Sequence, residues 1–84
     1  MTRTELIRIV TNIVSQATGI PADEIDPSSD FITELCLDSL AIIEVIVDLE
    51  NRFKTEISDE LSERMHDIND VVDYIEINNL ADKL

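Results

Sequence analysis

At 84 residues the chain has room for one domain, and it buries only about 60–65% of the surface its unfolded form exposes, which excludes a deep catalytic cleft. Nineteen acids against six bases give a net charge of -13, a field that repels phosphate backbones and anionic headgroups and so excludes nucleic acid and membrane insertion. Cys36 is the single cysteine, so there is no internal disulfide.

The chain opens Met1-Thr2-Arg3 with no apolar signal core and no stretch long enough for a bilayer, which predicts a cytoplasmic protein. Thr2 and Glu5 have capping-box spacing, and Leu6, Val10, Ile13 and Ala17, with Ile9 and Val14 beside them, recur at helical intervals. A first helix is therefore expected over residues 3–17. Gly19 and Pro21 end it, since Gly takes the left-handed turn and Pro cannot continue a helix.

From Thr18 to Leu37 the sequence is rich in Pro, Asp and Ser. At about twenty residues it exceeds the usual connection, so it is expected to cross a bundle and to be pinned by its own apolar residues, Phe31 foremost. Asp38 suits the N-cap of a second helix reaching Phe53. A short third helix is expected after Ser58 or Asp59, ending near Arg64 or Met65. Asp67 caps a fourth, with Ile68, Val71, Val72, Ile75 and Leu80 spaced for burial. The pairs and triplets Ile42-Ile43 and Val45-Ile46-Val47 are legal in a strand, but alternation is absent and a helical phase accounts for the charges. The expected fold is all-α: a four-helix bundle with one short helix and a long loop between the first and second, one domain over residues 1–84.

The second helix carries the functional signal. At 100° steps Ile42, Val45, Ile46, Leu49 and Phe53 share one face, enough to meet a core. Leu40, Ile43 and Val47 fall on the opposite side, flanked by Glu44, Asp48, Glu50 and Asn51. A central helix buried on both faces would also carry two stripes. The acids beside the second stripe favour a docking ridge, apolar with an acidic rim, for a partner with a basic rim. From Ile9 to Asn51 there is no Lys or Arg at all. Ser39 is the hydroxyl nearest the ridge. Serine at a helix start is most often only a cap, but a phosphate ester on Ser39 Oγ would lie at a helix N-terminus, where free N–H groups favour an anion. Asp38 opposes that charge, so the ester should extend outward.

Residues 34–53, ELCLDSLAIIEVIVDLENRF, resemble the phosphopantetheine attachment region of acyl carrier proteins. The IPADEIDPSSDF loop at 20–31, FKTEISDE at 53–60 and VVDYI at 71–75 resemble the same family in order and spacing, so that about three quarters of the chain is covered. The resemblance implies 4'-phosphopantetheine transferred from coenzyme A to Ser39 by a phosphopantetheinyl transferase, with Asp38 helping that enzyme engage the serine. The terminal thiol would carry acyl intermediates as thioesters to fatty-acid, lipid or polyketide biosynthetic enzymes. Leu40, Ile43 and Val47 would form the apolar partner surface, and Glu44 and Asp48 would pair with basic residues of acyl-transferring and chain-elongating enzymes. An acyl chain would fold between the second and third helices against Val45, Ile46, Leu49, Ile57 and Met65. The carrier would be a monomer. Two positions depart from the family: Cys36 stands where Gly is usual, and Ala41 where an acid commonly follows Asp-Ser-Leu. Both point toward a dedicated pathway.

Other classes fit less well. Cys36 and His66 lie on different segments with no third orienting group, so no Cys-His nucleophile is expected and the chain is not an enzyme. Asp23, Glu24, Asp26 and Asp30 lack the Gly and terminal Glu of a calcium loop, so no metal site is expected. An acidic helical adaptor or inhibitor of a basic protein, without a prosthetic group, explains the charge and the ridge, but it makes Ser39→Ala silent.

Overall fold

A computed structural model describes residues 1–84, with α1 over Arg3–Thr18, α2 over Ser39–Phe53, α3 over Asp59–Ser62 and α4 over Ile68–Ile77. Short 3₁₀ turns occupy Ala22–Glu24 and Leu80–Lys83, and there is no strand. Each α-helix begins on a side-chain cap. Thr2 and Glu5 form the reciprocal box ahead of α1, and Asp38, Ser58 and Asp67 accept from the backbone N–H three residues on. Gly19 closes α1 at φ 78°, a conformation that costs a residue with a Cβ.

One core joins the elements. Val10, Val14, Ile68 and Val72 have no exposed surface, and α1 packs on both α2 and α4. Arg3 closes the seam between the chain's ends: its guanidinium pairs with Asp73 at 2.8 Å and with Glu76, and donates to the Asn69 carbonyl at 3.4 Å. Those carboxylates, Glu76 first, raise the Arg3 pKa above its ordinary value.

The long connection is pinned by three of its own apolar residues, Phe31 among them. Ile25, Phe31 and Leu37 are all buried. Its backbone is also tied across the molecule, Phe31 N–H to the His66 carbonyl at 2.8 Å and Asn69 N–H to the Pro27 carbonyl at 3.2 Å. Ile32, beside Phe31, is 62% exposed.

Two expected boundaries move. α3 ends at Ser62 rather than near Arg64 or Met65, because the chain tightens into a turn in which Arg64 and Met65 N–H groups reach back three residues to Leu61 and Ser62. Leu80 is buried, but outside α4: Asn79 takes φ 53° and starts a separate 3₁₀ turn. No helix is long and apolar enough to cross a membrane.

Candidate functional site

The chain reaches the start of α2 through a constrained turn. Asp30 Oδ1 accepts from Thr33 and Ile32 N–H, both at 2.9 Å, and those bonds hold its carboxyl below the ordinary range. Leu37 is buried and donates its N–H to the Phe31 carbonyl at 2.8 Å. Between them Cys36 sits at φ 57°, in the left-handed region that Gly occupies freely and other residues enter at a cost. Its thiol is exposed.

Asp38 then caps α2, accepting from Ala41 N–H at 2.8 Å. Because the aspartate does the capping, the Ser39 hydroxyl is not needed for it. Ser39 occupies the first helical position and is exposed. The helix begins here with uncommitted N–H groups and the positive end of its dipole, a setting that favours a phosphate on Oγ. Asp38, exposed beside it, is a carboxylate that would oppose a second negative charge on the same ester. The donor set thus fits a phosphodiester on Ser39 Oγ.

Below Ser39 the two stripes of α2 separate. Leu40 is 65% exposed, Ile43 58% and Val47 44%, and Glu44 and Asp48 are exposed beside them. On the other face Val45, Leu49 and Phe53 are buried, whereas Ile42 and Ile46 are only half-buried. The reason is a cavity of about 230 Å³ between α2, the long connection and the turn after α3. Ile42, Val45, Ile46 and Leu49 form one wall, Phe31, Leu37, Met65 and Val71 the others, and Asp30, Ser62, Glu63 and His66 ring the polar edge.

Of the five residues expected to line an acyl pocket, Val45, Ile46, Leu49 and Met65 meet here and Ile57 does not. Ile57 packs instead with Phe53, Tyr74, Ile75 and Leu80, its N–H held by Glu50 Oε2 at 2.9 Å. Leu49 and Val71 touch both groups and divide them. Phe31, Leu37, Ile42, Val71 and His66 were not assigned to the pocket from sequence. Ile42 alone could have been, since it shares the helical face of Val45 and Ile46.

A second recess, an open groove of about 390 Å³, lies on the other flank of Ser39. The end of α1, residues 35–37 and the first turns of α2 line it. Leu37 is common to both recesses.

Known proteins resemble this chain in sequence and in fold. A family model described as a phosphopantetheine attachment site matches residues 8–75. The acyl carrier protein of Helicobacter pylori (strain J99 / ATCC 700824) is 36% identical over 76 residues, covering 90% of this chain and 97% of the relative. That of Helicobacter hepaticus (strain ATCC 51449 / 3B1) is 41% identical over 69 residues, 82% of this chain and 91% of the relative. Among solved structures, the acyl carrier protein of Enterococcus faecalis superposes with a TM-score of 0.74 at 37% identity, covering 93% of this chain and 99% of that one.

Proposed function

The chain belongs to the acyl carrier protein family, and from that premise we propose that Ser39 is the alcohol that carries its 4'-phosphopantetheine. The family's members are carriers rather than catalysts, and the covalent group supplies a terminal thiol that holds acyl cargo as a thioester. What this chain's residues contribute is position. The observation that carries the assignment is an exposed serine hydroxyl at the first position of a long helix, released from capping by Asp38.

In the transfer from coenzyme A, Ser39 Oγ forms a bond to the phosphorus next to pantetheine. The Oγ proton leaves, and the adenosine bisphosphate portion departs with the electron pair of the broken P–O bond. Asp38 fixes the backbone that presents Oγ and offers a carboxylate to the phosphopantetheinyl transferase. Leu40, Ile43 and Val47 are the apolar contact surface for that enzyme and for acyl-transferring and chain-elongating enzymes. Glu44 and Asp48 steer basic rims toward it. A cytoplasmic carrier accords with the single unpaired thiol.

The cavity beside Ile46 is the place for cargo. Protein interiors hold few voids larger than a water, so about 230 Å³ in so small a core is space for a guest. It takes on the order of eight water-sized groups, the bulk of a medium hydrocarbon chain. Val45, Ile46, Leu49 and Met65 supply its apolar contact.

Intact mass decides the attachment. After incubation with coenzyme A and a broad-specificity phosphopantetheinyl transferase, the wild type gains one phosphopantetheine and Ser39→Ala gains none. A wild type of unchanged mass would leave the charge and ridge to the adaptor reading, in which Ser39 has no part.

A further inference from the structure

We propose that the groove between the end of α1 and the start of α2 is the resting place of the uncharged part of the phosphopantetheine arm when no acyl group is carried, a reading that rests on attachment at Ser39. The groove begins where the arm begins: Asp38 and Leu40, the covalent neighbours of Ser39, both line it. A tethered chain needs no separate association step to enter, only a fold toward one flank.

Charge decides which part of the arm enters. The groove's ionisable walls include the carboxylates Asp38 and Glu44 and no base, so the phosphate is held outside. The pantetheine segment is neutral, and it alternates amides with a dimethylated carbon and short methylene runs. Ile20, Leu35 and Ala41 offer apolar wall for the latter, and the carboxylates accept from amide N–H groups. The cavity on the opposite flank has apolar walls and a narrow polar rim, and suits hydrocarbon instead. The two positions that depart from the family, Cys36 and Ala41, are both in this groove. A carboxylate side chain at 41 would both fill it and add a third negative charge.

Cys36 is the only thiol of the protein and an exposed lining residue, so it reports on the groove directly. The arm is first installed from a coenzyme A analogue whose terminal thiol is replaced by hydrogen, and loading is confirmed by intact mass, which tests attachment separately. The rate of alkylation of Cys36 by iodoacetamide, an uncharged reagent, is then compared with that of the unloaded protein. The loaded wild type should react at least about threefold more slowly, which corresponds to the arm spending about two-thirds of its time or more in the groove. In Ala17→Leu, which fills the groove from the α1 side, the ratio should return to near one. A wild-type ratio of one overturns the proposal. So does equal protection in both proteins, which would mark a field effect of the phosphate alone. Should Ala17→Leu lose its helical circular dichroism, nuclear Overhauser contacts from the arm's paired methyls to Ile20 and Ala41 in the wild type decide instead, and their absence is equally fatal.

Discussion

The side of the molecule where α1 meets α4 and the side where the long connection meets α2 and α3 are built from similar residues to different ends. On the first, Val10, Val14, Ile68 and Val72 are sealed completely, and Arg3 bolts the seam from outside. On the second, Ile42 and Ile46 stop at half burial against a cavity, α3 buries none of its own residues, and Leu40, Ile43 and Val47 face solvent. Apolar content alone does not separate the two sides. What differs is whether each side chain finds a permanent neighbour, and the side that lacks them holds both the cavity and the exposed apolar ridge.

The largest expected effect tests the sealed side. Leu6→Ala should cost about 3 kcal/mol in urea unfolding, because a wholly buried side chain in a closed seam leaves a void that cannot collapse. Ile46→Ala, the same kind of truncation at a wall already facing open space, should cost only about 1 kcal/mol. Equal losses would mean that the cavity is closed in solution and the contrast between the sides is false.

A smaller effect of opposite sign is expected at the entry to α2. Cys36→Gly should stabilise by about 0.5 kcal/mol, as relief of the left-handed conformation exceeds the added freedom of the unfolded chain. A destabilised Cys36→Gly, read from the same urea midpoints, would show that the thiol's contacts outweigh its backbone cost.

The smallest effect is electrostatic and confined to acid. Asp30 has a lowered carboxyl pKa, through Thr33 and Ile32 N–H, so its ionised form favours the fold. That contribution is present above the unfolded pKa and is lost as pH falls through the lower folded value. The melting-temperature gap between wild type and Asp30→Ala should therefore be widest near neutral pH and narrow below the ordinary carboxylate range. Because Asp30 is solvent-screened the gap is modest, and one that widened in acid would contradict the sign.

Helix identity and the candidate serine are legible in the sequence because their causes are local. Thr2 with Glu5, Asp38 and Asp67 announce helix starts a few residues ahead, and Ser39 follows from its place beside Asp38 and the ridge. The connection was legible only in part. Phe31 stood out as a large apolar residue, but nothing near Ile25 or Leu37 in sequence says that each finds a neighbour across the chain. Ile57 faces the cluster of Phe53, Tyr74, Ile75 and Leu80 rather than the cavity, a choice that neither its residue type nor a Gly or Pro signal announces. The strain at Cys36 is invisible in the residue itself, and only the family's habitual Gly at that place hints at it.

Leu37 is a party wall. Its backbone is anchored to Phe31, and its side chain borders the α2–α3 cavity on one side and the α1–α2 groove on the other. On the two occupancies proposed above, a tenant that pushes it one way would take room from the neighbour, and freight stowed in one compartment would discourage lodging in the other. In such a design an empty vehicle and a laden one would wear different outlines around the same serine, a difference open to a downstream enzyme before it touches the sulfur.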